Sequence, residues 1–199
     1  MTDPQLKPLI AKAISELQKL NAEDPNELLV DGEPHKKEVL FAERLSVWVH
    51  KLEVTPSPAL QVAAFGQHVE RWKSLRTDYP EGRAGYLKWR KDLSKRHAEV
   101  TCRIAAEVGL PDEVVQAIRK INLKQNLRSN PETQVMEDAL CLSFLEHEYV
   151  EFSAKHDDEK VIDIVQKTWG KMSDKAHQIA LGLPLSGRPL QLIQRALGA

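Results

Sequence analysis

Strict alternation of apolar and polar residues is nearly absent from this chain, whereas apolar residues recur at three- and four-residue spacing almost throughout. Such a period is the mark of a helix with one buried face, and it binds the chain to an all-α architecture. With 199 residues, 42% of them hydrophobic and 29% charged, it can fill one sizeable core.

The first predicted helix runs from about Pro8 to Leu20, and residues 21–34 (NAEDPNELLVDGEP) read as a loop punctuated by Pro25, Gly32 and Pro34. Further helices are predicted from about His35 to Leu52, Pro58 to Trp72, and Arg83 to Val108, the last stopped by Gly109 and Pro111. Others cover about Asp112 to Lys124, Ser129 to Lys155, Asp157 to Met172, and Ser173 to Leu181. The expectation is a single all-α domain over residues 1–184, followed by an amphipathic C-terminal tail over 185–199 whose stripe is Leu190, Ile193 and Leu197.

A net charge of -1 argues against a protein devoted to nucleic acid, which calls for a strongly positive surface. No stretch has the run of apolar residues that spans a bilayer, and the N-terminal segment lacks the pattern of a signal peptide. Cys102 and Cys141 both fall on helical apolar stripes, as small hydrophobes do, which fits a reducing cytoplasm. GxSxG, the Walker phosphate loop, GxGxxG, HExxH, clustered Cys/His patterns and Glu-x-x-His are all missing. Nucleophilic serine or cysteine chemistry therefore has no recognisable elbow.

Three ionisable residues, His68, His97 and Asp138, each fall on the expected buried face of a different helix. Burying such groups costs several kcal/mol unless a metal, an ion or a hydrogen-bond partner compensates. Two imidazoles and a carboxylate suit a divalent metal such as Mn, Fe or Zn. The plainer alternatives are a satisfied core histidine at His68, and for Asp138 a buried pair with an arginine or a bond to the backbone. Glu137 and His147 are expected to point away from the Asp138 stripe.

Arg83, Arg90 and His97 are seven residues apart, nearly two turns, and so form a row along one helix. The segment from Arg71 to Arg96 is rich in cations, with Trp72, Tyr79, Tyr86 and Trp89 interleaved. That mixture suits a small anionic or nucleotide-like ligand, with Arg71, Arg83 and Arg90 on phosphate oxygens and Trp72 and Trp89 as ring platforms. The alternative is a solvated helix face whose aromatics belong to the core. Glu99 and Glu146 are the candidate acid/base groups.

The strings GQHVERW, DYPEGRAGYLKWRKDLSKRHAEV, MEDALCLSFLEHE and DDEKVIDIVQKTWGKMS resemble domain of unknown function family 4202, over about residues 8 to 184. A looser similarity is to the HD-domain metal-dependent phosphohydrolases, which are all-helical. That resemblance implies an HD-like arrangement in which His68, His97 and Asp138 are metal ligands, with His50 spaced as an upstream histidine ligand. It departs from the pattern at Val69, where the aspartate of the HD pair belongs, so the site would bind metal weakly, use another acid such as Glu70 or Glu99, or be metal-free. The expected function is metal-dependent hydrolysis of a phosphorylated or nucleotide-like small molecule. Alternatives are a non-catalytic helical module for an anionic ligand or a protein partner, and an iron-dependent oxygenase. Self-association is left open.

Overall fold

The computed structural model describes residues 4–198. They form ten α-helices and one two-stranded antiparallel hairpin, an all-α fold as the helical spacing demands. The chain divides into two compact units, one ending at residue 133 and the other starting at residue 134.

The first unit is built round α3 (Pro58–Gly66), which packs against α1 (Leu6–Ala22), α2 (Lys37–Leu52), α4 (Gly82–Glu107) and α5 (Asp112–Asn122). Its sequence PALQVAAFG can be central because nearly all of its side chains are small or apolar, and those of 59–60 and 62–66 are buried. Ser57 caps it, its hydroxyl accepting from Leu60 N at 3.1 Å, and Pro58 occupies the first turn where no amide partner is needed. At the other end Gly66 lets Thr101 of α4 come against bare backbone; a Cβ there would lie 2.0 Å from Thr101 Oγ1.

The stretch expected to be a loop contains the hairpin, β1 (Glu27–Val30) and β2 (Glu33–Lys36). Its turn is Asp31-Gly32, both at positive φ (52° and 88°), the backbone that matches the twist of paired strands. Lys36 and Glu27, opposite each other in the register, pair at 2.9 Å.

Two further boundaries differ from expectation. The helix predicted to reach Trp72 ends at Gly66, and residues 71–73 form a separate 3-10 turn after Glu70, which adopts a left-handed conformation (φ 56°). The helix predicted from Ser129 to Lys155 is split into α6 (Pro131–His147) and α7 (Tyr149–Lys155) at Glu148, whose φ is -122°.

The second unit holds the rest of α6, then α7, α8 (Asp158–Trp169), α9 (Asp174–Leu181) and α10 (Gly187–Leu197). Asp157 caps α8, accepting from Lys160 N at 2.8 Å. The predicted tail helix, α10, packs on α8 with Leu192, Ile193 and Ala196 buried, and Gln166 Nε2 donates to Ala196 O at 3.0 Å. Asp158 pairs with Arg188 at 2.7 Å and with Arg195 at 2.5 Å.

Candidate functional site

The first unit gathers a carboxylate and two imidazoles. Glu38 stands in the first turn of α2, where an acid normally faces solvent and the helix dipole. Here it is buried, because the Asp24 carboxylate ties the chain down beside it: Oδ2 accepts from Glu38 N at 3.1 Å, and Oδ1 accepts from Asn26 N and Nδ2. Glu38 Oε2 lies 3.1 Å from Nδ1 of His68, which sits two residues beyond α3 and not on a helix face. The His68 side chain is 27% exposed.

His97, on α4, is buried, and its ring centroid is 5.9 Å from that of His68. Its Nδ1 donates to Val69 O at 2.8 Å, which leaves Nε2 buried with no hydrogen-bond partner. A buried polar atom without a protein partner is uncommon, and this one leaves a lone pair for a water or a ligand to satisfy.

A polar network under these residues fixes the end of α3. Gln67 Nε2 donates to Asn122 Oδ1 at 2.9 Å, Asn122 Nδ2 to Thr101 Oγ1 at 3.2 Å, and Thr101 Oγ1 to His97 O at 2.6 Å. These bonds join α5, α4 and the segment carrying His68, so both rings rest on one supported floor.

The electrostatics follow from burial and from nearby cations. Burial pushes Glu38 up to about 7 in spite of Arg71, whose charge pulls the other way. Burial and then the charges of Arg71, Arg90, Lys124 and Lys37 hold His68 well below the usual imidazole range. Burial and then His68 depress His97 to about 3. Both imidazoles are therefore neutral near pH 7, in a field that favours an anion.

Arg71 and Arg90 each lie against an aromatic side chain. Arg71 lies over the Trp89 ring at 5.2 Å, and Arg90 Nη1 donates to the Tyr86 hydroxyl at 3.4 Å. Trp89 in turn donates from Nε1 to Ser74 O at 3.1 Å. Trp72 is half-buried in the 3-10 turn, and Arg83 and Glu99 are exposed on α4. His50 is exposed, its Nδ1 2.8 Å from Ser46 O. Glu70 is clamped by Lys73 at 2.6 Å and Arg96 at 2.8 Å; burial raises its carboxyl, and these two bonds outweigh that and lower it.

Asp138 belongs to the second unit. Its carboxylate accepts from Ser173 N at 2.8 Å, Ser173 Oγ at 2.6 Å and Gln134 Nε2 at 2.9 Å, and so it holds the capping residue of α9. Glu137 was expected to point away, but it is buried next to Asp138 and lies 3.7 Å from Lys171 Nζ, on the edge between buried and outward faces. His147 does lie exposed, its Nε2 3.0 Å from Glu146. Of the three residues singled out in the sequence, the structure thus brings His68 and His97 together within the first unit, whereas the contacts of Asp138 are made in the second. Among the described residues, no group of three or more His, Cys, Asp or Glu is arranged to hold a metal ion.

No helix among the described residues is long and apolar enough to cross a membrane. A family model described as "Domain of unknown function (DUF4202)" matches residues 11–193. No curated protein and no solved structure matches the chain, and the likeness to HD-domain phosphohydrolases gains no support from them.

Proposed function

The chain belongs to the DUF4202 family, and from that premise we propose that its first unit hydrolyses a small phosphorylated molecule at the Glu38, His68 and His97 cluster. The observation that carries this reading is the Glu38–His68 pair, at 3.1 Å, beside the unpartnered Nε2 of buried His97. An ionised Glu38 accepts the Nδ1 proton of His68 and leaves Nε2 as a base, the orientation logic shared by many proton-transferring histidines.

Arg71 and Arg90 take phosphate oxygens, and His97 Nε2, which carries no proton, accepts from the water beside the anion. The neutral His68 removes a proton from that water as its oxygen bonds to phosphorus. The ester P–O bond breaks on the side opposite the water, the departing oxygen takes a proton from solvent and His68 returns its own to solvent, giving alcohol and phosphate. Bound anion charge also offsets the cations that depress His68 and so restores its basicity.

The test is a screen of sugar phosphates and nucleotides for released phosphate. Turnover abolished by His68→Ala and Glu38→Gln, with the variants still folded, supports the reading. Phosphate binding without turnover of any ester leaves a binding module in its place.

One observation favours a second reading. Both Nδ1 atoms are engaged by acceptors, the arrangement in which a histidine offers Nε2 to a metal. Mn, Fe or Zn held by these two nitrogens would supply an acidified water. Asp138 enters neither reading, because its oxygens hold Ser173 and Gln134. Metal analysis of tag-free protein decides between the two: stoichiometric metal lost in His68→Ala and in His97→Ala supports the second reading, and metal-free protein with full turnover removes it.

A further inference from the structure

An open groove of about 600 Å³ runs along the first unit between the turn at residues 73–80 and α4, lined among others by Lys73, Ser74, Tyr79, Lys88, Asp92 and Arg96. One residue links it to the phosphate-binding arginines. The ring of Trp89 faces Arg71, and its indole N–H holds the backbone carbonyl of Ser74, a groove residue.

The groove does not suit a second anion, because each of its cations already has a carboxylate. Lys73 and Arg96 share Glu70, at 2.6 and 2.8 Å, and Lys88 pairs with Asp92 at 2.6 Å. It does not suit a flat base either. Of the two rings, only Tyr79 lines the groove, and Lys88 covers one face of it, its ammonium 5.3 Å from the ring centroid; Trp89 lies outside the lining, with Arg71 over one face. Stacking of a base needs a ring face that is not occupied in this way.

What remains is a trough of mixed polar and apolar wall, in which charge-paired donors and acceptors stand beside the Tyr79 ring. Tyr79 hydroxyl donates to Asp92 at 3.3 Å, next to the Lys88 ammonium. Groups that both donate and accept fit such a wall, and vicinal hydroxyls do so in pairs. We propose that the groove binds the hydroxyl-rich part of a sugar phosphate whose phosphate lies at Arg71 and Arg90. This inference rests on the phosphate reading above and narrows it from phosphorylated molecules at large to sugar phosphates, with nucleotides disfavoured.

Calorimetry on the full chain tests it with three probes: inorganic phosphate, ribose 5-phosphate and adenosine 5′-monophosphate. Ribose 5-phosphate should bind about fivefold or more tighter than inorganic phosphate, and the nucleotide no tighter than ribose 5-phosphate. Asp92→Asn and Tyr79→Phe should each shrink the gap between ribose 5-phosphate and phosphate measured in that same variant. Circular dichroism verifies that both variants are folded. Phosphate binding with a smaller sugar gain, a gain untouched by both variants, or a tighter nucleotide overturns this inference alone. Failure of inorganic phosphate and both esters to bind overturns the phosphate reading with it.

Discussion

The ring of Phe41 lies flat on the imidazole of His68, with centroids 3.7 Å apart and planes within 7° of parallel. Glu38, one turn earlier on the same helix, holds Nδ1 of that imidazole. One element therefore fixes both the plane of the ring and its rotation within that plane. Replacing Phe41 by Leu keeps apolar bulk and removes the flat face. A stacked aromatic pair contributes about 0.5–1.5 kcal/mol beyond its buried area, so the midpoint of thermal unfolding should fall by only a few degrees. Turnover of a phosphate ester should fall by about tenfold or more, with little change in KM, because the loss is one of orientation. Scanning calorimetry and steady-state kinetics on the same preparation separate the two effects.

The protonation of Glu38 sets which imidazole nitrogen is the base. With a pKa of about 7, its ionised form above neutrality accepts from Nδ1 and leaves Nε2 free of a proton. The protonated form below neutrality can donate to Nδ1 instead, which places the imidazole proton on Nε2. Activity should rise with pH through about 7, and Glu38→Gln should abolish that limb along with most of the turnover. A kcat/KM profile of wild type and variant from pH 5.5 to 8.5, with circular dichroism verifying the fold, makes the comparison.

His97 could be read in the sequence as a buried polar residue, since its place on the α4 stripe depends only on helical spacing. His68 was legible as an oddity, yet the sequence extends its helix six residues too far. Val69 and Trp72 keep the apolar period, whereas the helix ends at Gly66 and the chain then turns at the left-handed Glu70, which is clamped by Lys73 and by Arg96 of α4. Glu38 escaped notice because an acid in a first helical turn is ordinary. Its burial arises from Asp24, fourteen residues earlier, and His68, thirty residues later. The hairpin had a local marker in Asp31-Gly32, but its strands alternate poorly and include Pro34, so nothing but the turn announces them. Asp138 could be recognised as buried, and its partner Ser173, thirty-five residues away, could not be identified.

Gly66 should be intolerant of any side chain. A Cβ would meet Thr101 Oγ1 at 2.0 Å and Cγ2 at 2.6 Å, and Thr101 is itself fully buried and bonded to His97 O and Asn122. Gly66→Ala should destabilise the chain by about 1–3 kcal/mol, the range for overpacking a tight core. The double variant Gly66→Ala, Thr101→Ala removes the clashing atoms and should recover part of the loss. Denaturant unfolding of the four proteins gives the cycle, and no recovery would mean the clash lies elsewhere.

Asp138→Asn tests whether that carboxylate serves α9. An amide can still accept one bond, but its NH₂ meets the Ser173 donors where an oxygen stood. The cost should be about 1–3 kcal/mol, as for a buried donor left without an acceptor. Hydrogen exchange should speed up first in residues 174–177, at the capped end of α9. A variant with unchanged stability and exchange but lost metal or activity would make Asp138 a site residue instead.

His97 should make the fold sensitive to acid. Its folded pKa is depressed to about 3, against an ordinary 6.5 in the unfolded chain. Between those values the unfolded state binds a proton that the folded state refuses, so the contribution is present above 6.5 and lost as pH falls toward 3. Its slope approaches one proton, about 1.4 kcal/mol per pH unit. Glu38, raised from 4.5 to about 7, acts in the opposite sense: its folded state retains a proton that the unfolded state has lost, so stability falls as pH rises through that window. Between 4.5 and 6.5 Glu38 offsets one of the two depressed histidines, and below 4.5 His97, together with His68, which burial also depresses, makes the fold lose stability with acid. His97→Asn lacks the titrating group, and although less stable at pH 7 it should lose less on going from pH 4.5 to 3.5 than wild type does. Urea unfolding at those three pH values measures it, and parallel losses in the two proteins would assign the acid sensitivity to other groups.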